Sequence, residues 1–437
     1  MRAGRATLHR GFRALTVRNY RIYWIGQAVS RTGTWMQQVS LPWLVLALGG
    51  SPIELGIVAA LEFMPSTVLS PFGGVLADRV DKRRALLVTQ SAAALQVVLL
   101  FVLLVAGLLT IPLVMVMSLL LGLVNAVDMP LRQSVAAELV PRPMLANAIA
   151  LNSMAFNSAR VVGPAVAGVT IAIGVGLFGS STAGVAFNLA INAVSFVAVL
   201  VSLFLIDADA FRVPPPREER PPVLSSLREG FDYARRTPIV LWSLVLLAGI
   251  GTFGLNFRIL LPIFTQVELG LDAGAYGALY AALGLGSLVG AVTLAFLHER
   301  RAVPFMLLGG TGFAAAELLL AGVPGVWTAV PLVFCAGLGS MLMINTVNAT
   351  VQSNVSDALR GRVMALYVTV FAGTTPIGGI FAGFIAEHLD ARAGFAAGAI
   401  LSFACVALVA WRLRAAGRAG QLGETRIGSL EPSGDAR

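Results

Sequence analysis

Apolar and polar positions run in long alternating blocks along this chain. Apolar blocks fall at about 20–48, 52–77, 85–107, 112–137, 145–173, 182–206, 238–266, 273–297, 304–322, 326–352, 361–387 and 393–413. A helix needs about 20 mostly apolar residues to cross a bilayer, so each block predicts one span, twelve in all. Between the sixth and seventh lies the only long polar stretch, Asp207 to Thr237, with Pro214-Pro215-Pro216, Pro221-Pro222 and charges of both signs. It predicts a linker that is extended at its prolines, with a short surface helix at Leu224 to Arg235. The organisation expected is a tail at 1–19, a six-helix bundle at 20–206, a linker at 207–237, a second six-helix bundle at 238–414 and a polar tail at 415–437.

Composition agrees with a membrane solvent. Of 437 residues 57% are apolar and 12% charged, half the roughly one quarter charged in soluble domains. The net charge of +9 would suit a phosphate binder, but its placement excludes nucleic acid. Arginines fall between alternate apolar blocks: Arg2 to Arg18, then Arg79 to Arg84 with Lys82, Arg142, six in the linker, Arg300 with Arg301, and Arg360 with Arg362. The opposite loops hold Arg392 alone. This is the positive-inside pattern, and it predicts a multi-pass protein of the inner (cytoplasmic) membrane with both termini cytoplasmic. The first twenty residues are Arg-rich, without an apolar core or cleavage site, and are expected to be a cytoplasmic tail rather than a signal peptide. Cys335 and Cys405 lie inside apolar blocks and are expected to be small buried residues.

The halves also repeat. A shift of 215 residues carries Gly168 of "GPAVAG" onto Gly383 of "GGIFAG". Paired six-helix repeats place a substrate site near the bilayer midplane.

Several stretches have the look of known signatures. After the second block the chain reads Gly73-Gly74-Val75-Leu76-Ala77-Asp78-Arg79-Val80-Asp81-Lys82-Arg83-Arg84, which resembles the G-x-L-x-D-R-x-G-R-(R/K) loop of the major facilitator superfamily, with Asp81 where a glycine is usual. Gly163-Pro164 with Gly168 resembles the G-P-x-x-G antiporter motif of that superfamily's proton-coupled drug exporters. Stretches such as "NAVDMPLRQSVAAELVP", "LREGFDYARRTP" and "LRGRVMALY" resemble its transmembrane secretion effector group, which includes enterobactin exporters. The resemblance implies an all-α fold of two pseudo-symmetric six-helix bundles. It also implies export of a small, often amphipathic molecule by proton antiport, and a charge-paired gate at Gly74, Asp78, Arg79, Arg83 and Arg132.

Ionisable residues at membrane depth are functional candidates. Here they are Arg31, Glu62, Asp128, Arg132, Arg160 and Arg258, with Glu317 as a weaker case expected to snorkel or pair locally at the periphery. At 1.5 Å per residue, Glu62 and Arg160 lie roughly 22 Å deep, and Arg31 and Asp128 about 14–16 Å, so depth allows two cross-helix pairs. Asp128 and Glu62, with Arg31 and Arg160 beside them, are the proton-coupling candidates. Static pairs that fix helix packing are the competing reading. Gln27, Arg31, Thr34 and Gln38 share one face of the first span, and Asn345, Asn348 and Gln352 make a similar stripe in the tenth. These stripes, with Asn157 and Arg258, are the candidate cavity lining; helix-helix hydrogen bonding is the alternative. Trp35, Trp43, Phe63, Phe257, Tyr276 and Tyr280 could add aromatic surface.

The three histidines, His9, His298 and His388, are too far apart for a local metal motif, and there is no P-loop. The expectation is therefore a transporter rather than an enzyme, without cofactor or metal, acting as a monomer in the lipid bilayer on protons and a small molecule such as a drug, macrolide or siderophore. The alternatives are an uptake carrier or uniporter, and a non-transporting receptor or scaffold on the same fold.

Overall fold

The computed structural model describes residues 12–207, 223–296 and 302–418, and among these there is helix and no strand. The helices are α1 (Arg18–Ala47), α2 (Pro52–Arg79), α3 (Lys82–Val105), α4 (Ile111–Glu138), α5 (Leu145–Phe178), α6 (Ser181–Leu205), α7 (Val223–Arg236), α8 (Pro238–Phe253), α9 (Phe257–Ile263), α10 (Ala273–Phe296), α11 (Ala302–Ala321), α12 (Val326–Ser353), α13 (Asp357–His388) and α14 (Ala391–Arg418). Among the described residues, eleven segments are long and apolar enough to cross a membrane. The remaining span, α1, has 30 residues, but Gln27, Arg31, Gln37 and Gln38 make it more polar than the others.

The helix ends follow local chemistry. Asp81, the residue that departs from the usual loop pattern, caps α3 by accepting from the Arg84 amide at 3.0 Å. Loss of such a cap costs about 1 kcal/mol. Arg83 donates to the Leu203 and Phe204 carbonyls at 2.8 and 3.0 Å, placing a cation on the negative end of α6. Arg392 does the same for α11 through Ala321 and Val323. The surface helix expected in the linker is α7; Tyr233 on it donates to the Asn354 carbonyl at 2.8 Å, and Glu229 pairs with Arg362.

The chain forms two compact units. Of the described residues, the first contains 12–207, 258–281 and 383–388, and the second 223–257, 282–296, 302–382 and 389–418. Helix pairing within them repeats: α1 packs on α6, α3 on α6 and α3 on α4 in the first, and α8 on α14, α11 on α14 and α11 on α12 in the second.

Glycines mark the crossings. Gly122 and Gly337 are 215 residues apart, and a Cβ on either would run into a backbone carbonyl of the neighbouring helix, Glu62 for Gly122 and Leu283 for Gly337. Gly168 and Gly383 are also one repeat apart. A Cβ on Gly168 would lie 2.9 Å from the Gly277 Cα, and one on Gly383 would lie 2.6 Å from the Pro52 carbonyl. Without a hydrophobic drive between helices in lipid, such close approach is a main source of packing energy.

Two expectations change. The seventh span is not one helix over 238–266: it breaks at Gly254-Leu255-Asn256, restarts as α9 and ends in a π turn at Phe264–Glu268. Gly254 is wedged against Phe313 and Ser402, with no room for a side chain. The Asn256 amide donates to the Thr252 and Phe253 carbonyls left free by the break, at 2.8 and 3.1 Å. Cys335 is exposed and Cys405 half-buried, because an apolar position on a membrane helix can face lipid as readily as protein.

Gly122→Ala and Gly337→Ala are each expected to lower the thermal midpoint of the purified protein, the overpacking costing about 1–3 kcal/mol. Gly312→Ala, where a Cβ meets nothing within 4 Å, leaves it unchanged. Equal midpoints for all three in differential scanning fluorimetry would show that these crossings do not hold the repeats.

Candidate functional site

Two buried acids organise the first unit, and each has a different partner from the one that depth alone suggests. Asp128, 2% exposed, pairs with Arg132 one turn along its own helix. Its Oδ1 also accepts from the Thr89 hydroxyl at 2.7 Å and the Gln90 amide at 2.6 Å. Arg132 in turn donates to Gln27 at 2.8 Å, and its carbonyl accepts from the Tyr23 hydroxyl at 3.2 Å. Arg31 donates to the Asn152 carbonyl at 3.2 Å rather than to Asp128. Both oxygens of this carboxylate therefore have protein partners.

Glu62, 3% exposed, pairs with Arg258. Arg160, half-buried, lies near Tyr280 instead. Equal depth allows a Glu62 and Arg160 pair, but depth says nothing about which way each helix face turns. Arg258, the second residue of α9, reaches the acid. The guanidinium lies over the Phe63 ring, 5.2 Å from its centre, a cation-π contact. Nearby, Trp43 stacks on Tyr276 at 5.6 Å and 16°, and Tyr276 meets Tyr280 edge-on at 5.9 Å. The Trp43 indole N–H, the Tyr276 hydroxyl, and the Nε and Nη1 of Arg258 are buried without a hydrogen-bond partner. Buried donors are rarely left unanswered, and here four lie together beside flat apolar surface.

The remaining candidates separate into packing and lining. Gly163 of the antiporter-like motif seats α5 on α1: a Cβ there would lie 2.5 Å from the Trp35 Cβ and 3.0 Å from the Thr32 carbonyl. Pro164 lies inside α5, and Gly168 seats the helix on Gly277. In the first-span stripe Gln27 is fully buried, while Thr34 and Gln38 are half-buried, with the Thr34 hydroxyl on the Ser30 carbonyl. Asn157 bonds its own helix at Ser153. Asn345 and Asn348 are half-buried, and exposed Gln352 donates to Asn348 at 2.6 Å. The surroundings of Gly74, Asp78 and Arg79 lie outside the described residues, so the proposed gate is represented by Arg83 and Arg132 alone.

Two polar groupings escaped the sequence reading. Lys82, the only lysine, pairs with Glu138. Gln37, not Gln38, donates to Gln96 at 3.1 Å and accepts from Asn192 at 2.7 Å, while Asn188 links Thr170 and Ser40. These bonds tie α1 to α3, α5 and α6, and interhelical hydrogen bonds in membranes average about 0.6 kcal/mol each. The signal was present in the spacing of Gln37 to Ser40, masked by the more obvious stripe. Glu317 also departs from expectation: it neither snorkels nor pairs, being fully buried with both carboxyl oxygens unpartnered.

Asp128→Asn is expected to lower the thermal midpoint, because one partner of a buried pair is left uncompensated, at a cost of up to about 3–5 kcal/mol. Asp128→Asn combined with Arg132→Gln recovers most of the loss. Strictly additive losses in the double variant would show that the two residues do not act as a pair.

Comparison with known proteins completes the picture. Residues 10–426 match the family model described as transmembrane secretion effector. The chain is 26% identical to the staphyloferrin A transporter of Staphylococcus aureus, covering 81% of this chain and 86% of that protein. It is 25% identical to an enterobactin exporter of Escherichia coli, covering 80% of each. Among solved structures, the nucleoside transporter NupG superposes with a TM-score of 0.74 at 11% identity, covering 91% of this chain and 99% of that one. A bacterial homologue of the iron transporter ferroportin gives 0.66 at 14% identity, covering 90% and 98%. These structural likenesses show a shared fold. The family and its members are transporters and not enzymes, so this is a multi-pass membrane transporter: the chain belongs to the transmembrane secretion effector family of the major facilitator superfamily.

Proposed function

We propose that this protein is a secondary active exporter of the cytoplasmic membrane, working as a monomer with both termini cytoplasmic, and that it exchanges protons for a small amphipathic molecule at Glu62. The observation that carries the reading is the Glu62 and Arg258 pair with its unpartnered neighbours, the Trp43 indole, the Tyr276 hydroxyl and two guanidinium nitrogens. The arginine over Phe63 and the stacked Trp43 and Tyr276 rings offer aromatic surface to the apolar part of a ligand.

Coupling follows from competition for one carboxylate. Ionised Glu62 can be answered by Arg258 or by a hydroxyl, amide or ammonium donor of the substrate. A proton on Glu62 removes both attractions. Proton and substrate therefore exclude each other at this residue, which is the sign that antiport requires. Asp128 is less suited to the task, because Thr89, Gln90 and Arg132 already hold its charge. The staphyloferrin A and enterobactin relatives support siderophores, oxygen-rich molecules with hydroxyl donors, as the first class to try, ahead of macrolides and hydrophobic cations.

In liposomes containing the purified protein and a pH-sensitive dye, an active substrate is expected to drive proton movement that Glu62→Gln abolishes. Trp43→Ala is expected to raise the half-saturating substrate concentration by roughly threefold to tenfold, the worth of one aromatic contact. Undiminished proton movement in folded Glu62→Gln would overturn the assignment of Glu62.

A further inference from the structure

Among the described residues, the second unit buries one acid without a partner. Glu317 on α11 is 0% exposed, and neither carboxyl oxygen has a hydrogen-bond partner. On α14, Ser402 is likewise 0% exposed with an unpartnered hydroxyl. Both lie at the break in the seventh span. A Cβ built on Gly398 would sit 2.9 Å from Glu317 Oε1 and 2.5 Å from the Phe253 carbonyl oxygen, so acid and carbonyl flank a single point. A Cβ on Gly254 would sit 2.8 Å from Ser402 Oγ. The Phe253 carbonyl accepts one bond, from Asn256 at 3.1 Å, and has a second lone pair free.

Electrostatics decides what this pocket holds. Phe253 ends α8, and the last carbonyls of a helix carry its partial negative charge. A carboxylate there would face a negative helix end in a medium of low dielectric, with no cation beside it. Among the described residues the elements packed on α11 leave none free for it: α8 has no ionisable side chain, α12 has only Cys335, which is exposed, and on α9, whose Phe257 meets Phe313 at 6.0 Å, Arg258 is already paired with Glu62. On α14, Arg392 is bound to the Ala321 and Val323 carbonyls, Cys405 contacts the Val245 carbonyl, Arg412 stacks on Trp242 and Trp411, and Arg414 and Arg418 lie in the last turns. The Gly398 gap is smaller than a methyl group and leaves no room for a hydrated metal ion. A neutral carboxylic acid, by contrast, would present an O–H toward the Phe253 carbonyl, the acceptor that flanks the same point.

We propose that Glu317 and the Phe253 carbonyl form a proton-binding site at the discontinuity of the seventh span, separate from Glu62. Discontinuous membrane helices commonly offer unwound carbonyls to a coupling ion. In the state described here Glu317 holds the proton as O–H. Rearrangement of the break admits water, which accepts the proton and leaves the carboxylate solvated. The site itself stands without the proposed antiport; only its use in the transport cycle rests on that reading.

The test is infrared difference spectroscopy, acid minus alkaline, on the full-length protein in lipid nanodiscs. The wild type is expected to show a protonated-carboxyl C=O band that shifts in D2O, vanishes in Glu317→Gln and persists in Glu62→Gln. Glu317→Asp keeps a band at a new frequency and serves if the glutamine variant fails to fold. Identical carboxyl regions in wild type, Glu317→Gln and Glu317→Asp would overturn the proposal. A band that depends on Glu317 while Glu62→Gln still pumps protons would uphold this site and remove the antiport assignment at Glu62.

Discussion

Hydrocarbon offers no hydrogen bonds, and the described structure depends on how each polar group answers that constraint. Backbone amides are satisfied within helices. Where a helix stops, a side chain takes over: Asn256 on the carbonyls at the end of α8, Arg83 on those of α6 and Arg392 on those of α11. Buried side-chain charges follow the same rule. Asp128 gathers Thr89, Gln90 and Arg132, and Glu62 takes Arg258.

The same constraint makes departures informative. The Trp43 indole, the Tyr276 hydroxyl and two nitrogens of Arg258 lack partners within one aromatic cluster, and Glu317 and Ser402 lack them around the break in the seventh span. In an apolar medium an unanswered donor or acid is costly. These two groups supply the donors and acceptors on which the proposed ligand and proton sites rest.

Packing supplies the second layer. Small residues recur one repeat apart, Gly122 with Gly337 and Gly168 with Gly383, and in each case the neighbouring backbone occupies the place of a side chain. The antiporter-like Gly163 and Gly168 belong to this layer too, since they bring α5 against α1 and α10. A duplicated sequence thus becomes duplicated helix crossings.

The sequence by itself determined the spans, because apolar length and polar breaks map directly onto helices in a bilayer: most predicted boundaries fall within a few residues of those of α1 to α14, and the linker helix at Leu224 to Arg235 is α7. It also determined the family, through the Asp78 loop and the Gly163-Pro164 motif, and most of the buried charges, because an ionisable residue in an apolar block is conspicuous, whereas Lys82 and Glu138 at the ends of their blocks are not. Tertiary structure decided the partners. Glu62 meets Arg258 rather than Arg160, and Asp128 meets Arg132 rather than Arg31, since rise per residue gives depth while azimuth depends on how helices pack. It decided that Gln37 rather than Gln38 ties α1 to its neighbours, and that Glu317 is sealed inside its unit. It also broke the seventh span at Gly254, where Phe313 and Ser402 from other helices leave no space for a side chain, a contact that no local pattern of apolar residues encodes.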